Sequence, residues 1–176
     1  MKNSKFLVLA LLTAVVFSAC SKEVIATYPE GCAAESTLTV KSAEAGEVTY
    51  AADNSWYLDW KDYGTFYFVS WDDFDPKNYS AHKIVGKDVS ASWDLKTVDK
   101  TAPKAGTWNY RAEGENNELT WLNISTEKLA GGVFDDKGKV EITYFGDDYV
   151  CGTVTAADSS SSMKGDFIAK YYKWEF

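Results

Sequence analysis

Between Lys139 and Phe145 the chain reads KVEITYF, with Val140, Ile142 and Tyr144 at every second position, and Gly146-Asp147-Asp148 then interrupts it. A period of two puts alternate side chains on one face of an extended strand, whereas a helix needs apolar spacings of three and four. This pattern, more than any other feature, constrains the fold. Residues 149–156 read as the partner strand. Asp135-Asp136-Lys137-Gly138 is expected to turn the chain into the first strand, and a serine-rich loop over 158–162 leads to a last strand over 165–174. Three strands joined by short turns make an antiparallel meander.

The same grammar runs back through the chain. Aromatic and β-branched runs bounded by Gly, Asp, Asn and Ser predict strands at 37–41, 47–51, 55–60, 64–71, 89–95, 106–112 and 118–124. No helical period is long enough to compete. The run GTFYFVSW from Gly64 is apolar on both faces, as in a strand covered on both sides or one that meets a ligand. About ten strands in one domain point to an all-β fold, an antiparallel β-sandwich or flattened barrel.

The N-terminus has a different composition. Lys2 and Lys5 precede an apolar run over 6–17, and Ser18-Ala19 supplies small residues before Cys20. These are the parts of a secretory signal, and the run is shorter than the roughly 20 residues that span a bilayer. Phe17-Ser18-Ala19-Cys20 resembles the lipobox of bacterial lipoproteins, with Phe17 in place of the commoner leucine. That resemblance implies cleavage before Cys20 and acylation of its thiol, so that the lipid bilayer is the first partner. An ordinary signal with an incidental cysteine is the alternative. The expected organisation is signal 1–19, lipidated cysteine and tether 20–35, and β domain 36–176.

Removing residues 1–19, which carry two lysines and no acid, leaves 157 residues and moves the net charge from −8 to −10. So acidic a chain lacks the basic footprint of a nucleic-acid binder. One domain is the expectation at this length. Lys22-Glu23, just after the cysteine, resembles the charged export signals of Bacteroidota lipoproteins, which implies the outer membrane with surface exposure over a periplasmic face.

Three longer stretches extend that likeness. PKAGTW from Pro103, GKVEITYFGDDYVCGTV from Gly138 and MKGDFIAKY from Met163 resemble a recurring pattern in uncharacterised Bacteroidota outer-membrane lipoproteins with a C-terminal all-β domain. The resemblance implies a fold and a compartment. It carries no functional residues with it.

Cys32 and Cys151 remain once Cys20 is acylated, an even pair that in an exported protein is consistent with either a disulfide or two buried thiols. Catalytic groups are sparse. His82 is the only histidine, in a polar stretch with no nucleophile motif around it, so neither a triad nor a His/Cys metal site is expected. Asp72, Asp73 and Asp75 form an oxygen-rich loop of the kind Ca²⁺ uses, but without calcium-loop spacing, and a solvated turn closed by Pro76 is preferred. No cofactor and no enzymatic activity are expected.

Aromatic residues are the unusual feature. Trp56, Tyr57, Trp60, Tyr63, Phe66, Tyr67 and Trp71 crowd into sixteen positions. Flat rings beside Asp and Asn suit carbohydrate, through stacking and edge hydrogen bonds. The same rings also suit a core. Alternation separates Trp56, Leu58 and Trp60 from Tyr57 and Asp59, so the two sets are expected to differ sharply in burial, and the outward set, with Tyr63, Tyr67 or Trp71, would form a ligand platform. A non-catalytic binding or adhesion lipoprotein, glycan-directed, is the leading expectation; a structural or assembly component of a cell-envelope complex is the alternative.

Overall fold

A strand of thirteen residues near the C-terminus, Ser161–Lys173, pairs with three others and so ties the wall of the fold together. The computed structural model describes residues 27–52, 54–60, 63–69, 89–111, 115–126, 132–134 and 137–173. Cys20, Trp71, Asp72, Asp73, Asp75 and His82, with the expected signal segment, lie outside the described residues.

Among the described residues eleven strands follow in chain order: β1 Thr37–Ser42, β2 Gly46–Ala51, β3 Asn54–Asp59, β4 Tyr63–Val69, β5 Val89–Thr97, β6 Gly106–Tyr110, β7 Asn117–Thr126, β8 Gly132–Val133, β9 Lys137–Phe145, β10 Tyr149–Ala157 and β11 Ser161–Lys173. The protein is all-β, and every described strand belongs to one sheet. Eight of them close a circuit in the order β11, β10, β9, β6, β7, β5, β4, β3 and back to β11. The result is a barrel, not two separate stacked sheets. The β1–β2 hairpin extends the wall from the first half of β11, and β8 is a short addition beside β7.

The meander expected over the C-terminal third is present, with β9, β10 and β11 antiparallel in sequence order. Two pairings depart from the antiparallel expectation: β3 runs parallel to β11, and the end of β6 runs parallel to the start of β7. The first of these closes the barrel, because the second half of β11 reaches past β1 and Lys170–Lys173 align with Trp56–Asp59. Its length makes this possible. One half serves β1 while the other serves β3, and β10 lines its opposite side.

Several expected boundaries shift. Lys137 and Gly138 already belong to β9, and Ser161 and Ser162 to β11. The turn before β11 is confined to residues 158–160, where Asp158 Oδ1 accepts from the backbone N–H groups of Ser160 and Ser161 at 2.7 Å each. An Asp side chain that satisfies two amides in this way shortens the loop that serine content alone suggests. The expected face of Val140, Ile142 and Tyr144 also breaks at its end. Cys151 aligns with Tyr144 but Gly152 aligns with Ile142, leaving Thr143 as the extra residue of a bulge. A bulge turns the strand over, so Phe145 rather than Tyr144 packs against the core.

An eight-stranded barrel leaves an interior just wide enough for side chains to fill. Here rings fill it: Tyr57, Phe66, Phe68, Trp93, Trp108 and Phe167 are all fully buried. Phe66 packs against Trp93, Phe167 and Tyr57 with ring centroids 5.4, 4.7 and 4.7 Å away. Glycine makes room where strands come closest. A Cβ on Gly165 would lie 2.1 Å from the Thr37 carbonyl oxygen, and one on Gly152 would lie 2.0 Å from that of Glu141. Backbone cannot yield as a side-chain tip can, so any larger residue at either position pushes strands apart.

Candidate outer aromatic face

With the interior occupied by rings, a ligand has to be met from outside the barrel. Strand registers give the outer wall of β3, β4, β5 and β7 in rows. Leu58, Thr65, Asp94 and Trp121 lie side by side in one row, and Trp56, Tyr67, Ser92 and Asn123 in the next. Beyond the first row Trp60 stacks on Tyr63 at 5.7 Å with the ring planes 3° apart. The Trp60 backbone N–H also donates to the Tyr63 carbonyl at 2.9 Å, closing the end of the β3–β4 hairpin.

The two faces of β3 do not differ in burial as alternation suggests. Tyr57 is fully buried inside the barrel, and Leu58 is equally buried outside it. Leu58 forms a second cluster with Tyr67 and Val69, against which Trp56, Trp60 and Tyr172 pack. The physical reason is size: large rings on three adjacent strands close over the smaller aliphatic side chain between them. Tyr57 therefore belongs to the core and not to a platform, and Tyr67 is largely buried. Trp56 and Trp60 are half-buried, with the Lys170 ammonium 5.4 Å from the Trp56 ring centroid. Of the expected platform residues that are described, Tyr63 is the most open, at 39% exposure.

Trp121 is open to 42% and was not singled out by the spacing of aromatics, because it stands alone in its strand. Asp94 aligns with Trp121 while Leu95 aligns with Leu119, so Thr120 is the extra residue of a second bulge. Leu119 and Leu122 then both face inward, and Trp121 is thrown outward beside Asp94. The signal existed in the sequence: apolar residues three apart inside a strand violate a period of two and mark such a bulge. By strand geometry Tyr63 and Trp121 are two strands and about two residues apart, roughly 12 Å.

Between those exposed rings lies a polar pair. Thr65 is buried, and its hydroxyl hydrogen-bonds the Asp94 carboxylate. Partial burial raises the Asp94 carboxyl above its ordinary value, with the Thr65 hydrogen bond acting in the opposite direction. A desolvated carboxylate with a hydroxyl neighbour is a strong, directional acceptor for ligand hydroxyl groups. Among the described residues no set of three His, Cys, Asp or Glu side chains gathers to hold a metal ion.

Elsewhere the outer wall carries other features. Cys32 and Cys151 are joined in a disulfide across 119 residues. Cys151 is fully buried on the outer side of β10. Residues 27–36 thus run against the wall. The Thr143 hydroxyl, at the bulge, donates to the Gly31 carbonyl at 3.0 Å, Tyr28 meets Tyr149 edge-on at 5.7 Å, and Ser36 Oγ bridges the Ile168 backbone. On the far side a shallow groove of about 460 Å³ is lined by Thr37, Thr39, Thr153, Thr155, Lys164 and Asp166. It offers hydroxyls but no ring to stack on.

Comparison with protein-family models, with characterised proteins and with solved structures found no match.

Proposed function

We propose that this chain is a non-catalytic, glycan-binding lipoprotein held on the outer membrane by acylated Cys20, with the outer face of β3, β4, β5 and β7 as its contact surface. One observation carries the glycan reading. Exposed rings at Tyr63 and Trp121 flank the Asp94–Thr65 pair on a single rigid sheet face. Rings stack on the apolar faces of pyranoses while carboxylate and hydroxyl groups take up their hydroxyls. Strands hold these groups at fixed spacing, so little ordering cost falls on the protein when it binds. The disulfide and the acidic net charge suit an exported protein.

Retention of the purified protein on an array of polysaccharides and mucin glycans is the direct test. Trp121→Ala and Tyr63→Ala should each weaken retention by about 1–3 kcal/mol, or roughly 5- to 150-fold, while both variants stay folded at the assay temperature. Absence of retention on every glycan, or equal retention by both variants, would remove this reading in favour of a structural role in the envelope.

A further inference from the structure

The barrel wall closes on itself, but β2 does not share in the closure. Among the described residues Gly46–Ala51 pairs with β1 alone, and five of its six residues are exposed. Natural edge strands are usually blunted by Lys, Pro or a bulge. GEVTYA contains no Lys and no Pro, and it pairs with β1 in unbroken register.

The direction of its free backbone groups follows from one hydrogen bond. Ala52 N–H donates to the Ser36 carbonyl at 3.0 Å. In an antiparallel ladder, pairs that exchange hydrogen bonds alternate with pairs that do not. Tyr50, Val48 and Gly46 therefore turn their backbone groups toward β1, while Glu47, Thr49 and Ala51 turn theirs to the open edge. The 2.8 Å contact between the Thr39 and Thr49 hydroxyls fits this phase, since side chains approach most closely at the pairs that do not exchange hydrogen bonds.

We propose that β2 is a self-association edge, which pairs antiparallel with β2 of a second copy about a twofold axis through Thr49. In that register Thr49 faces Thr49 of the second copy, and Glu47 faces its Ala51. All three N–H groups and all three carbonyls on each open edge are then satisfied. On the inner side Val48 meets Tyr50 of the second copy, an aromatic and β-branched pair of the stabilising kind. Val48 is 37% exposed in the single chain, and Tyr50 already packs against the core, so the pairing extends a surface the barrel has begun to cover. Other symmetric registers are poorer. With the axis through Val48 the Ala51 groups stay unpaired, and with the axis through Glu47 two carboxylates face each other.

A six-residue strand pair is small beside the roughly 1,200–2,000 Å² of stable interfaces. The dimer is accordingly concentration-dependent, and because both copies are acidic, added salt strengthens it. Amide hydrogen exchange of the protein purified from the cells that make it, at low and at high concentration, reads the edge directly. The Glu47, Thr49 and Ala51 amides should slow together by at least about tenfold on concentration, while Val48 and Tyr50 are protected throughout. Thr49→Pro removes an N–H that β1 does not use, so the variant should keep its fold and stay monomeric in sedimentation. Thr49→Lys, which sets two ammonium groups against each other on the axis, should do the same if the proline variant fails to fold. Concentration-independent exchange at these three amides overturns the proposal, as does slowing of Glu47 and Thr49 without Ala51, a dimer that survives both substitutions, or capture of a different protein on β2 without self-pairing.

Discussion

Replacing Tyr57 with Phe should stabilise this protein, although Tyr57 is fully buried at the centre of its aromatic core. Its ring packs against Phe66, Phe145 and Tyr171 at 4.7, 5.3 and 5.8 Å, and it lies so close over Gly64 that a Cβ there would stand 2.1 Å from the Tyr57 hydroxyl oxygen. That hydroxyl has no hydrogen-bond partner among the described residues, whereas the neighbouring Tyr171 hydroxyl donates to Asp59 Oδ2 at 2.5 Å. A buried hydroxyl left unpaired costs about 1–3 kcal/mol. Phe keeps the ring and its contacts and forfeits only the few tenths of a kcal/mol of dispersion from one oxygen. The net gain at neutral pH is about 1 kcal/mol, or roughly 2–4 °C in unfolding midpoint for a domain of this size. Alkaline pH provides an independent arm. Burial pushes the Tyr57 phenol far above its ordinary 10.0, and the Asp59 carboxylate and Tyr171 add to the shift. The unfolded chain releases this proton above about pH 10 while the folded chain retains it, so the parent loses up to about 1.4 kcal/mol per pH unit at this site. Phe cannot titrate, and the gap between variant and parent should widen at that rate. Urea unfolding at pH 7 and at two values above 10 measures both arms. A variant less stable than the parent by 1 kcal/mol or more, or alkaline limbs that stay parallel, would refute the reasoning.

Replacing Cys32 and Cys151 together with Ala should cost about 2–4 kcal/mol, because the bridge closes a loop spanning most of the domain; equal urea midpoints for the oxidised parent and the variant would contradict this. Gly165→Ala should destabilise by about 1–3 kcal/mol or prevent folding, since its methyl meets the Thr37 backbone, and circular dichroism during thermal unfolding reads the loss. Asp94→Asn should remove the stability the parent gains on acidification. The raised carboxyl takes up its proton in the folded state first, so that gain accrues as pH falls through its raised value and is complete below the ordinary 3.8. Cys20→Ser should abolish incorporation of a fatty-acid analogue in metabolic labelling, and equal label in variant and parent would end the lipoprotein reading.

Local pattern and tertiary structure divided the protein between them. Alternation in KVEITYF and the turn at Gly146-Asp147-Asp148 were enough to place β9, β10 and the start of a meander, because strand formation and tight turns depend on residues within a few positions of each other. The expected strands over 37–41, 89–95 and 118–124 fall within β1, β5 and β7 for the same reason. Closure was not legible. It depends on Lys170–Lys173 lying parallel to Trp56–Asp59, more than a hundred residues earlier, and no local property of either segment encodes the other. The two bulges decided the rest. Thr143 brings Phe145 inward, and Thr120 lets Leu119 face inward with Leu122 while Trp121 stays outside beside Asp94, whereas strict alternation leaves Tyr144 on the inner face and puts Leu119 and Trp121 on one face. Even the crowded rings from Trp56 to Tyr67 could not be sorted by period. A period of two says which residues share a face, but burial depends on what stands across from that face. On β3 that is the barrel's own rings on one side and neighbouring outer rings on the other, so Tyr57 and Leu58 are equally hidden from water.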